Sequence, residues 1–235
     1  MNLSRAEIKL IRSLGSKKFR DETGLFVVEG EKLVAEALAS RFTVERVFRR
    51  EEIGEEAMAR ISLLSSPSPV LALVRQETEG ETLPDRGLVL ALDGIRDPGN
   101  LGTILRIADW FGVEAVVASP DSADRYNPKV VQATMGALFR VPFFTRELPA
   151  FLQQMQQRGS RIHGTFLDGD NIYNQEFPKG DAATVVVIGN EANGISAPVE
   201  ACCDNRLTIP RYGHGESLNA AIATALIVAE IRRRG

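Results

Sequence analysis

From residue 88 onward the chain alternates short strand-like runs, several of them apolar throughout, with longer helical stretches between most of them. The runs are Leu88–Leu92, Ala115–Ala118, Val141–Phe144, Arg161–Phe166, Val185–Ile188 and Arg206–Ile209. Leu88–Leu92 and Val185–Ile188 contain no polar residue, the pattern of strands covered on both faces. Helical periodicity separates most runs, over Leu101–Phe111, Pro128–Leu138, Leu148–Gln157 and Ser217–Arg232. Such alternation predicts an α/β fold with a mainly parallel sheet flanked by helices. Residues 1–75 alternate similarly on a smaller scale and predict a small α/β domain. Residues 76–87, QETEGETLPDRG, are nearly free of apolar side chains and predict a linker, leaving 88–235 as the larger domain.

Composition narrows the classes of function. No stretch approaches the roughly 20 unbroken apolar residues of a membrane span, and the N-terminus has no signal-peptide core, so a soluble cytoplasmic protein is expected. Cys202 and Cys203 are adjacent and accompanied by no metal-ligand spacing, so neither a disulfide framework nor a metal site is expected. The formal charge of −3 conceals an asymmetry. Arg5, Lys9, Arg12, Lys17, Lys18 and Arg20 face only Glu7 in the first 20 residues, a local +5 that leaves −8 on the remainder. That segment is a candidate for phosphate contacts, as is Arg232–Arg234 to a lesser degree, although charge runs more often form solvated faces.

Three motifs follow strands. The first runs from Asp93 to Arg106. Pro98, Gly99 and Gly102 permit a tight turn, Asn100 is placed to cap a helix, and Arg106 lies about 200° round that helix from Ile104, away from its apolar face. A solvated Arg106–Asp109 pair is the plainer reading. The glycines do not fit a dinucleotide fingerprint. The second motif, Gly189-Asn-Glu191-Ala-Asn-Gly194, follows a buried strand, with Glu191 just beyond its carboxyl end, where ligand crevices lie in such sheets. An Asn/Gly turn leading to a helix capped by Ser196 is the structural alternative. In the third, Leu207–Asn219, Ser217 reads as an N-cap, with Asn219 in the first turn of a helix apolar on nearly every side. His214 near Ser217 lacks the elbow and acidic partner of a hydrolase.

In this order the three motifs resemble the SpoU-type (TrmH-like) RNA ribose 2′-O-methyltransferases of the SPOUT class. Asn127-Pro128-Lys129 and Thr134-Met-Gly136-Ala137 fall where that family has a similar stretch. The segment Lys18–Gly30 resembles the family's accessory RNA substrate-binding domain, related in fold to a large-subunit ribosomal protein. The resemblance implies S-adenosylmethionine bound in a deep C-terminal trefoil knot spanning roughly residues 160–220, an exception to unknotted topology. It implies cofactor contacts at Thr165, Phe166, Leu167, Gly189, Ile209, Ser217 and Leu218, with backbone groups dominant and Gly189 admitting the ligand. Asn100, Arg106, Glu191, Ser217 and Asn219 become the catalytic set, and Arg106 a phosphate ligand beside the target ribose. A homodimer follows from the resemblance as well. The accessory domain favours ribosomal over transfer RNA. A protein of this fold that binds or assembles RNA without turnover remains the alternative, and a nucleotide-dependent α/β enzyme of another kind is a second. The intact polar residues disfavour the first, and the missing glycine fingerprint the second.

Overall fold

The computed structural model describes residues 3–80, 82–177 and 182–234. Glu81 of the expected linker and residues 178–181 of the segment expected to be knotted lie outside the described residues. The elements in the first part of the chain are α1 (Arg5–Ser13), α2 (Lys17–Thr23), β1 (Leu25–Glu29), α3 (Glu31–Ala39), β2 (Val44–Arg49), α4 (Arg50–Ile53), α5 (Glu55–Ile61) and β3 (Val70–Arg75). There follow β4 (Leu88–Leu92), α6 (Pro98–Trp110), β5 (Ala115–Ala118), α7 (Pro128–Thr134), β6 (Phe143–Thr145), α8 (Leu148–Gln157), β7 (Arg161–Asn171), β8 (Thr184–Ile188), α9 (Ala197–Glu200), β9 (Asn205–Thr208) and α10 (Ala220–Arg234).

Two compact units result, one of residues up to 78 with 124–140, the other of 79–123 with 141 onward. In the first, β1 and β2 pair antiparallel with β3 between them. Phe26, Val28, Leu33, Val34, Phe42, Val70, Ala72 and Val74 form a core that is completed by Tyr126, Val131, Leu138 and Phe139. The segment from Asp124 to Arg140 therefore packs with the small sheet, although it lies far beyond residues 76–87 in sequence. The described residues among 76–87 have no regular structure, yet they are not a free tether. The Glu77 amide donates to the Tyr126 hydroxyl at 3.0 Å. In the second unit Glu79 accepts from Thr145 and Arg146, and Leu83 is buried in the core.

Arg20 corrects the charge reading of the N-terminal segment. Its side chain is 2% exposed, with Nε and Nη2 donating to Asp124 Oδ2 at 3.0 and 2.5 Å and Nη1 to the Leu14 carbonyl at 2.8 Å. A guanidinium so enclosed holds the fold together and is not a surface contact for RNA. Removing one partner of a buried ion pair strands the other charge. Arg20→Ala is expected to cost about 3 kcal/mol of stability, measured by urea unfolding, while Arg5→Ala changes stability by less than about 0.5 kcal/mol. The C-terminal arginines are similarly committed. Arg232 donates to the carbonyls of Phe111 and Gly112, and Arg233 and Arg234 bond Glu230, holding its carboxyl down to about 2.

The second unit is a six-stranded sheet in the order β6-β5-β4-β8-β7-β9, with each neighbouring pair parallel. β4, β5 and the last four residues of β8 are buried at each position, as their continuous apolar sequences require. Because the strands run parallel, the carboxyl ends of β4, β8, β7 and β9 share one edge, and each of the three motifs begins there. Strand β7 is longer than its apolar run predicts. Thr165 and Asp170 both pair with Leu207, so Phe166–Gly169 loops out between them. Among the described residues no helix is long and apolar enough to cross a membrane, and no group of His, Cys, Asp and Glu could hold a metal ion.

Candidate active site

Helix α6 begins at Pro98, and its N-cap is Asp97, whose Oδ1 accepts from the Asn100 amide at 2.7 Å. The capping role expected of Asn100 therefore falls to the residue three positions earlier, and this releases the Asn100 side chain. A parallel shift occurs in the third motif. Helix α10 starts at Ala220 rather than behind Ser217, and its first-turn amides of Ala221 and Ile222 donate to Asn219 Oδ1 at 3.0 and 3.2 Å. Asn219 is the capping residue, and Ser217 stands exposed in the preceding loop.

These two caps fix the polarity of the site. Since Asn219 Oδ1 is taken by backbone donors, its Nδ2 is the group that reaches outward, and it donates to Asn100 Oδ1 at 2.8 Å. Asn100 must then donate from its own Nδ2, and the acceptor is the Glu191 carboxylate. One asparagine side chain thus joins all three motifs in a single direction of hydrogen bonding.

Glu191 is carried by a closed turn. Asn190 and Gly194 exchange backbone hydrogen bonds at 2.9 Å in both directions, and Asn190 Oδ1 accepts from the amides of Ala192 and Asn193 at 2.9 and 3.1 Å. Asn190 Nδ2 donates to the Gly94 carbonyl at 2.7 Å, and Asp93 Oδ2 accepts from the Ser196 amide at 2.7 Å. The turn is therefore pinned to the end of β4 at two points. Sequence reasoning did not assign roles to Asp93 and Asn190. Their signal was position, since polar side chains at the ends of adjacent buried strands need partners.

Gly189 is required by the fold itself. A Cβ there would lie 2.4–2.7 Å from Gly194 C, Ile195 N and Gly194 O, so the chain's own turn makes a close approach at this position. Ser196 precedes α9, but its side chain makes no capping bond.

Arg106 projects from α6 into solvent, and its guanidinium has no hydrogen-bond or ion-pair partner among the described residues. The remaining candidates gather at the strand ends. Thr165 Oγ1 donates to the Val187 carbonyl at 2.9 Å, Phe166 is half-buried, and Leu167 is 78% exposed. Ile209, Ser217 and Leu218 follow β9, and their backbone groups make no hydrogen bond among the described residues. Free main-chain donors and acceptors beside exposed Leu167 and Leu218 suit a ligand with a flat, neutral heterocyclic edge.

Of the N-terminal cations, Arg5, Lys9 and Arg12 are exposed on α1 at i, i+4 and i+7, a single stripe. Arg12 also donates to the Ser62 carbonyl at 2.7 Å. Lys17 and Lys18 are exposed but face Asp21 and Glu22 one turn on, at 2.6 and 3.9 Å. Arg20 is buried, as described above.

Comparison with known proteins places this geometry. Residues 87–229 match the SpoU rRNA Methylase family, and residues 5–71 match the MRM3-like substrate binding domain. The 23S rRNA (guanosine(2553)-2′-O)-methyltransferase RlmP of Bacillus subtilis is 33% identical over 241 aligned residues, covering 96% of each chain. Among solved structures, a TrmH-family protein from Porphyromonas gingivalis is 39% identical with a TM-score of 0.90, covering 99% of each chain. An AdoMet-bound rRNA methyltransferase from Sinorhizobium meliloti is 28% identical with a TM-score of 0.90, covering 99% of this chain and 97% of its own. With its motifs joined at one strand edge and more than half its length matched, the chain belongs to the SpoU rRNA Methylase family.

Proposed function

We infer that this protein transfers a methyl group from S-adenosylmethionine to the 2′-hydroxyl of a ribose in RNA. The observation that carries the reading is the directed chain from Asn219 through Asn100 to Glu191, which fixes three loops at the strand edge. The bound cofactor supplies a methyl group already activated on a sulfonium. The protein's task is then alignment of the hydroxyl for in-line attack, a matter of positioning more than of acid–base power. Asn100, Glu191 and Asn219 hold the loops in register, and Ser217, exposed beside them, is placed to bond the substrate. Arg106, planar and without a partner among the described residues, suits a phosphate next to the target ribose, whereas guanidinium is a poor base at neutral pH. Thr165, Phe166, Leu167, Gly189, Ile209, Ser217 and Leu218 are proposed to line the cofactor.

Ribosomal RNA is the favoured substrate, since the B. subtilis relative aligned across 96% of both chains is named for a guanosine of 23S rRNA. The segment from about residue 160 to 220 is proposed to form a deep trefoil knot. The placement of β7 between β8 and β9 supports it. The protein is proposed to act as a homodimer in the cytoplasm. Helix α10 leaves Ile222 and Leu226 at 55% and 40% exposed, and Trp110 of the adjoining α6 at 84%, so its burial is less complete than its sequence predicts. Apolar surface of this kind is covered in an oligomer.

The residues up to 78 are proposed to form an RNA-binding accessory unit of ribosomal-protein-like fold, with Arg5, Lys9 and Arg12 as its contacts and Lys17 and Lys18 as partly neutralised ones. Combined Arg5→Ala, Lys9→Ala and Arg12→Ala is expected to raise KM for RNA about tenfold and to flatten its salt dependence by about 0.7 log unit per lost contact. Cofactor affinity stays unchanged, and an unaltered KM for RNA would remove the stripe from the interface. The activity itself is tested by mapping ribose methylation in RNA from cells with and without the gene, alongside transfer by the purified protein. RNA binding with no 2′-O-methyl product would make the chain an assembly protein of this fold.

A further inference from the structure

The looped-out part of β7 is held from β9, with Arg206 at the centre of its contacts. Phe166–Gly169 interrupts the ladder with β9, where Thr165 and Asp170 both face Leu207. An excursion of four residues has no ladder bonds of its own, so whatever fixes it must come from its flanks. The Arg206 guanidinium lies 3.7 Å from the centre of the Phe166 ring. It also donates to Asp168 Oδ1 at 2.8 Å and to Glu200. Gly164 has no Cβ, and one built there would meet Phe166 at 2.5 Å and Cys203 Sγ at 2.7 Å. The ring thus carries Arg206 on its face and also packs closely against Gly164. Gly169 rests against the Arg206 backbone, where a Cβ would come within 2.6 Å of its carbonyl oxygen, and Thr208 Oγ1 donates to the Leu167 carbonyl at 3.2 Å.

We propose that Arg206 is a positioning residue that clamps Phe166–Gly169 against β9 and thereby sets the affinity for the cofactor. The inference rests on the reading that Thr165, Phe166 and Leu167 contact that cofactor. Arg206 itself faces Phe166, Asp168 and Glu200 and takes no part in the transfer. Its planar cation covers the aromatic face while its fork reaches two carboxylates, a combination lysine does not reproduce. With the clamp in place, Leu167 and the strand end are presented in one conformation, and the ordering cost is met before the ligand arrives.

The test uses full-length Arg206→Ala and Arg206→Lys proteins, titrated calorimetrically with S-adenosylmethionine and assayed at steady state. In Arg206→Ala the cofactor Kd and KM are expected to rise about tenfold, with kcat at saturating cofactor and KM for RNA within about twofold of wild type. Arg206→Lys should fall between, since it keeps the ion pairs and loses the flat stack. Amide exchange over residues 166–169 should quicken in the cofactor-free alanine protein. An unchanged cofactor Kd, or a fall in kcat with KM unmoved, would overturn the clamp. Exchange in the wild-type protein separates the two levels of the argument. If S-adenosylmethionine leaves residues 164–170 unprotected there, the cofactor-site reading fails, and the clamp's role in affinity fails with it. If they are protected and Arg206→Ala still binds normally, the clamp alone is wrong. Should the alanine protein not fold, Arg206→Gln and Arg206→Lys carry the same comparison.

Discussion

Arg106→Ala is expected to lower methyl transfer by about three orders of magnitude while leaving the Kd for S-adenosylmethionine within about twofold. The guanidinium has no bond to another described residue to lose, so its removal costs the fold little and the effect falls on substrate alignment. Because the bidentate fork is what matches a phosphate, Arg106→Lys should recover only part of the rate, with charge retained and geometry lost. Single-turnover kinetics with saturating cofactor and RNA measure the step directly. Wild-type turnover in Arg106→Ala would take the residue out of the site.

The second large effect is expected at Gly189. An alanine Cβ would sit within 2.7 Å of three backbone atoms of Gly194 and Ile195, and backbone cannot rotate aside as a side chain can. The turn from Asn190 to Gly194 must move, and Glu191 moves with it, away from Asn100. Gly189→Ala should therefore destabilise the protein by about 2 kcal/mol and reduce activity at least about a hundredfold. Thermal unfolding and the methylation rate are both needed to check this. Unchanged values in the two measurements would mean that the turn is not held as described.

The parts of this structure that follow from sequence are those governed by continuous apolar runs. The strands from Val185 to Ile188 and from Leu88 to Leu92 could be read because burial on both faces leaves no room for alternation. The α/β class and the parallel sheet follow from the same runs. Asn100, Glu191 and Asn219 could be named from motifs, but their mutual bonding could not, since it depends on which of two neighbouring polar residues takes each helix cap. Asp97 and Asn219 took those positions, which moved the start of one helix and freed one amide. Arg20 was misread because its charge is visible in sequence while Asp124, its partner, lies 104 residues away. The looped-out segment of β7 was invisible for a similar reason. The polar residues beyond Phe166 read as the end of the strand, and only the pairing of Asp170 and Asn171 with Leu207 and Thr208 of β9 resumes it.

The packing of Asp124–Arg140 into the first unit has a consequence for biosynthesis. A chain elongating at about 5–20 residues per second exposes its N-terminal residues to the cell well before residue 140 is made. Until then Phe26, Phe42 and their neighbours lack the layer supplied by Tyr126, Val131, Leu138 and Phe139, so the nascent unit carries an open apolar face. The N-terminal unit cannot mature as soon as its own sheet has left the ribosome. It must wait for a segment encoded inside the second unit, so folding is not strictly vectorial, and the interval is one in which a nascent-chain chaperone has a binding surface.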